Sequence, residues 1–117
     1  MKYVYTPGRL KVKIPNKIVY GGMEFKVEFE DHPVIGGESV WGHWDYPNQR
    51  IVLASQLAEP AILATLFHEM AHIIMEMAGF SGLSEKEEWL ADIFGYGFFQ
   101  MMIQNQELCA DGTREDT

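Results

Sequence analysis

The chain reads as an α+β domain, a small antiparallel β-sheet followed by two packed helices. Three observations predict this. Runs that alternate polar and apolar residues occupy the first half of the chain. A long stretch rich in Ala, Leu, Ile and Met begins at Pro60. A second helix start is written into "SEKEEWLAD" (84–92). At 117 residues the length suits one domain, with 1–56 mainly β, 60–104 helical, and 109–117 a polar tail expected to fray.

"RLKVKI" (9–14) and "MEFKVEFE" (23–30) alternate with period two, and Gly21-Gly22 between them is a turn signal. "DHPVIGGES" reads as a loop. "VWGHWDY" (40–46) and "RIVLAS" (50–55), separated by "PNQ", predict a second hairpin. Lys11, Lys13, Lys17 and Lys26 fall at polar positions of these runs, as on the wet face of a strand.

The first helix is expected from Pro60, a residue suited to the first turn, to Ala78, with Gly79 as its stop. It is apolar nearly all round, which predicts a helix buried in the middle of the domain. The second is expected over 85–104. Ser84 and Glu87 have capping-box spacing, which would occupy Glu87 with the backbone at the helix start. Gly95 and Gly97 inside it cost roughly 1 kcal/mol each against Ala, so they point to close approach of another element, the first helix being the candidate.

Composition narrows the function classes. A net charge of −8 argues against nucleic acid, whose phosphates need a basic patch. The N-terminal residues lack the continuous apolar run of a signal peptide, and no stretch is long and apolar enough to span a membrane. The single Cys109 excludes an intrachain disulfide, suits a reducing compartment and has no ligand partner at metal spacing. A cytoplasmic protein is the expectation.

"HEMAH" (68–72) lies inside the apolar run "ATLFHEMAHIIMEM". With 4 His in the chain, such a pattern arises by chance about once in 70 to 100 sequences of this composition, so its context decides. On a helix, His68 and His72 share a face and can chelate one ion, while Glu69 falls beside a bound water as general base. Burying two imidazoles and a carboxylate in so apolar a segment without a shared purpose is costly. A catalytic zinc ion takes three protein ligands, and the third is sought among Glu85, Glu87 and Glu88. Asp92 lies four residues after Glu88, on the same helix face. That pairing favours Glu88 as the ligand and Asp92 as the acceptor for the free N–H of a ligand histidine.

His68-Glu69-x-x-His72 followed by Glu88-x-x-Ala91-Asp92 resembles the gluzincin pattern of zinc metallopeptidases, in which a Glu on the next helix is the third ligand. With "GHWDYPNQRIVL" (42–53) leading into "LATLFHEMAH", the chain is similar to small phage-encoded metallopeptidases and to the ImmA/IrrE family over roughly residues 40 to 100. The chain departs from the pattern in the short segment between His72 and Glu88. The resemblance implies a minimal zincin-like fold, a zinc ion held by His68, His72 and Glu88, and peptide hydrolysis with Glu69 as base. It also implies a peptide or protein substrate added as a strand along the hairpin before the first helix. On that hairpin His43 and Tyr46 are candidates to polarise the scissile carbonyl or hold the oxyanion, and strand alternation sends them to opposite faces. The alternative reading is a zinc-binding regulatory or interaction protein with weak or no proteolysis. Trp41, Trp44 and Trp89 are read as core or cleft wall, and His32 as an ordinary loop residue.

Overall fold

The computed structural model describes residues 14–80 and 85–105. Six strands precede two helices: β1 (Lys17–Tyr20), β2 (Met23–Glu30), β3 (Val34–Ile35), β4 (Glu38–Ser39), β5 (Gly42–Asp45), β6 (Arg50–Ala54), α1 (Glu59–Met77) and α2 (Glu85–Gln104). The fold is α+β, as the sequence predicts. The expected strand over 9–14 lies, but for Ile14, outside the described residues, as do Ser84, Cys109 and the tail.

Gly21-Gly22 does turn a hairpin, and its first strand is Lys17–Tyr20, with Tyr20 opposite Met23. Both turn residues have positive φ (59° and 80°), as a two-residue turn matched to strand twist requires. Gly36-Gly37 does the same (60° and 83°), closing the small hairpin β3–β4 where a plain loop was expected. Lys17 and Lys26 face each other across β1 and β2 on exposed positions, in keeping with a wet face.

The main sheet has the order β1-β2-β6-β5 and is mixed, not wholly antiparallel. β5 and β6 form the expected antiparallel hairpin, but β6 runs parallel to β2, with Val27 opposite Ile51 and Phe29 opposite Leu53. These two strands are not consecutive, so no turn residue reports on their relative direction. The one available signal is that "IVLA" in β6 is buried without alternation, the pattern of an inner strand with a parallel neighbour.

Phe25, Val27, Ile51 and Leu53 turn one sheet face toward Ile62, Leu66 and Ile73 of α1. The opposite side of α1, at Leu63 and Ala64, packs on Phe99 and Ile103 of α2. α1 is therefore the middle layer, as its apolar circumference predicts, although Ile74 and Met77 near its end remain exposed. It stops where expected. Gly79 takes φ 84°, its N–H bonds to Glu76 O, and Phe80 N–H bonds back to Met75 O at 2.8 Å. This termination satisfies the last carbonyls and sends the chain back toward α2.

Candidate metal centre

Two glycines bring the walls of a cavity against α1. A Cβ on Gly42 would lie 2.7 Å from Thr65 Cγ2 and 2.8 Å from Val52 O, so glycine lets β5 settle on the helix. A Cβ on Gly95 would lie 2.7 Å from His68 Cα and 2.8 Å from its N, so glycine lets α2 cross close to His68. Gly97 faces open space and has no such role. Between these contacts is a cavity of about 590 Å³, with His68, Glu69 and His72 on one wall, Glu87, Glu88 and Tyr96 on another, and Trp41, His43 and Trp44 on the third.

The side chains converge as the sequence predicts for a metal. His68 Nε2 and His72 Nε2 are 3.2 Å apart. The Glu88 carboxylate sits against both, 2.9 Å from His72 Nε2 and 3.3 Å from His68 Nε2. His68, His72 and Glu88 are the one such group of three found among the described residues. Asp92 Oδ1 lies 3.0 Å from His68 Nδ1, where a supporting acid is expected, but off the line of a well-aligned N–H bond.

Glu87 departs from expectation. Its carboxylate is 2.5 Å from His72 Nδ1 and largely covered, so it serves the site; the expected cap with Ser84 lies outside the described residues. Glu87 and Glu88 are neighbours on α2 and thus point about 100° apart, which lets one reach the Nδ1 side and the other the Nε2 side of the same ring. Trp44 stacks on that ring, with centroids 6.4 Å apart and planes 14° from parallel.

This arrangement fits a cation on its own chemistry. With a carboxylate beside each Nδ1, a neutral imidazole keeps its proton there and turns its Nε2 lone pair inward. Two lone pairs and a carboxylate then face one another with no donor among them. Ligands about 2.0–2.1 Å from a tetrahedral zinc are roughly 3.3 Å from each other. The two Nε2 atoms are 3.2 Å apart, each faces a different oxygen of Glu88, and one ligand atom from each of the three residues lies within 4.8 Å of the others. Two imidazoles and one carboxylate are a zinc donor set that leaves a position open. Burial, first, and then His72 hold the His68 imidazole below its ordinary value, a direction that favours the neutral form a metal ligand needs.

Glu69 is buried, with a carboxylate oxygen 4.0 Å from His68 Nε2. Removal from water, with a smaller contribution from the Glu88 charge, pushes its carboxyl up to about 8. Of the two hairpin candidates, His43 lines the cavity and Tyr46 does not. The Tyr46 ring packs in the core beside Phe25 and Trp44, with its hydroxyl 3.7 Å from Met23 Sδ. Trp44 is cleft wall and core, Trp41 stands half-exposed on the rim, and Trp89 is neither, at 61% exposure on the surface. His32 is exposed and beside Asp31, an ordinary loop residue as expected.

Two residues escaped the sequence reading: Glu87 as a histidine partner, and Tyr96, whose ring centroid is 5.8 Å from that of His68. Tyr96 follows Asp92 by four positions, so the helical spacing that singles out Asp92 extends to it. No helix among the described residues is long and apolar enough to cross a membrane. No protein-family model, curated protein or solved structure matches this chain.

Proposed function

We propose that the chain is a zinc-dependent peptidase. The observation that carries this reading is the convergence of His68 Nε2, His72 Nε2 and the Glu88 carboxylate, one ligand atom from each within 4.8 Å of the others, with the buried Glu69 carboxyl beside them. His68, His72 and Glu88 would hold the metal, while Glu87 and Asp92 orient the two rings by taking their Nδ1 sides. Bound zinc supplies Lewis acidity toward a carbonyl oxygen and toward water.

The chain's own residues account for the remaining work. A cation held beside Glu69 would favour its ionised form against the burial that pushes its carboxyl up. The Glu69 carboxylate then takes a proton from the attacking water and delivers it to the leaving amine nitrogen, so that the C–N bond breaks with OH on the carbon and H on the nitrogen. His43 lines the cavity on the side contributed by β5, and we assign it as the donor to the oxygen on which negative charge develops. Among the described residues β5 is an edge strand of the main sheet, paired with β6 alone. Its unpaired edge suits an extended peptide added as a further strand, which makes an unfolded or loop segment of a protein the fitting substrate.

The test is hydrolysis of a mixed, denatured protein substrate by zinc-loaded protein, followed by mass spectrometry of new termini. New termini should appear with the parent and vanish with Glu69→Gln, while that variant keeps its zinc. Equal cleavage by the Gln variant would remove Glu69 from the role of base, and absence of cleavage by the parent across such a mixture would overturn the peptidase reading.

A further inference from the structure

The second half of α2 carries a feature that the metal centre does not use. From Ile93 to Asn105 there is no charged residue, in a chain of net charge −8. One face of this segment is buried against α1, but a second apolar stripe faces outward: Phe94 is 53% exposed, Phe98 57% and Met101 59%. With Ile74 of α1, 47% exposed, Phe94 and Phe98 border an apolar groove of about 540 Å³ between the two helices, on a different side of the hairpin from the histidines, and Met101 extends the exposed stripe beyond it.

We propose that this face is the contact between two copies of the chain, packed about a two-fold axis near Phe98 with the two α2 helices antiparallel. Area supports a second copy. A large apolar side chain offers roughly 200 Å², so the four half-exposed residues present on the order of 400 Å² before the partly covered groove floor is added. A standard interface buries about 800 Å² per partner, of which about 65% is apolar in homodimers, or roughly 500 Å². The two quantities agree.

Charge selects the partner and its direction. An anionic lipid surface is disfavoured by a protein of net charge −8. Glu85, Glu87, Glu88 and Asp92 lie in the first half of α2, so parallel helices would set like charges side by side. Antiparallel helices bring the uncharged halves together and keep the acids at opposite ends. A two-fold contact of this kind is self-complementary, and an outward row at 94, 98 and 101 meets its own copy. The metal centre opens elsewhere and stays accessible.

Sedimentation equilibrium of the full chain over about 1 to 100 μM, with zinc content and far-ultraviolet circular dichroism measured alongside, tests this. A dissociation constant of roughly 10 μM or tighter is expected, with a limiting mass twice 13.4 kDa. Phe98→Glu and Phe98→Lys should each sediment as folded monomers with unchanged zinc content, and mixing the two should restore a dimer. A monomeric parent overturns the proposal, whether the groove is covered by the chain's own segments, a vesicle surface or another protein. A dimer that persists in both variants, or a mixture that stays monomeric, overturns it as well.

Discussion

Glu87 and His72 meet through a carboxylate oxygen 2.5 Å from Nδ1, across 15 residues of sequence. The other nitrogen of the same ring faces Glu88 at 2.9 Å, so consecutive residues of α2 hold opposite sides of one imidazole. In the proposed site Glu87 would act on the metal through the histidine, by favouring the tautomer that leaves Nε2 free.

It follows that Glu87→Ala should weaken zinc binding by about 10–100-fold. Glu88→Ala, which removes a ligand, should weaken it further, and Glu85→Ala should leave it unchanged. Competition against a chromophoric chelator measures all three. A Glu87→Ala protein that binds zinc like the parent would show the Nδ1 contact to be idle.

Gly95 and Gly97 separate close approach from simple helix cost. A methyl at Gly95 meets backbone atoms of His68 at 2.7 and 2.8 Å, so α2 must move away from the ligand helix. Gly95→Ala should lose about 1–3 kcal/mol and bind zinc less tightly. Gly97 has nothing within 4 Å, so Gly97→Ala should gain up to about 1 kcal/mol of helix stability. Thermal melts of the two variants decide this, and a Gly95→Ala protein at least as stable as Gly97→Ala contradicts the packing described.

Much of this was legible in the sequence, for physical reasons that differ by element. Helix periodicity placed His68 and His72 on one face and Glu88 with Asp92 on another, because i, i+4 geometry is local. Gly21-Gly22 marked its hairpin because a tight turn needs positive φ. The parallel pairing of β2 with β6 was not legible, since strands distant in sequence share no turn. The role of Glu87 was hidden by a local pattern, Ser84-x-x-Glu87, that fits a helix cap equally well, and only tertiary packing directs the carboxylate to His72. Period two separates His43 from Tyr46, and His43 lines the cavity while Tyr46 does not, but the period does not say which side faces α1. That is decided by Trp44 and Tyr46 packing together in the core.

That division of the hairpin residues predicts unequal consequences for hydrolysis. His43→Ala should lower kcat by about 10²–10³, the usual cost of one donor to a developing oxyanion. Tyr46→Phe removes only a hydroxyl-to-sulfur contact and should change kcat by less than about twofold. A large loss in Tyr46→Phe with none in His43→Ala would reverse the assignment.

Acid should loosen the β5–β6 turn through Asp45. Its carboxyl is held below the ordinary 3.8, first by the Asn48 side chain and also by the Asn48 N–H and Arg50. A depressed carboxyl contributes stability above its unfolded value, and loses it as pH falls through the folded one. The parent should therefore lose stability more steeply than Asp45→Asn below about pH 4. The group lies in a surface turn, so the difference is small. Parallel acid-unfolding curves for the two proteins would remove Asp45 from this role.

The zinc content of the purified chain tests the central claim most directly. Elemental analysis after dialysis, repeated after chelation and readdition of zinc, should give about one ion per chain for the parent. His68→Ala and His72→Ala should each fall far below that value. A parent that is metal-free as purified and takes up no zinc on addition would contradict the account, because two inward lone pairs and a carboxylate 2.9 to 3.3 Å apart would then have no cation to hold.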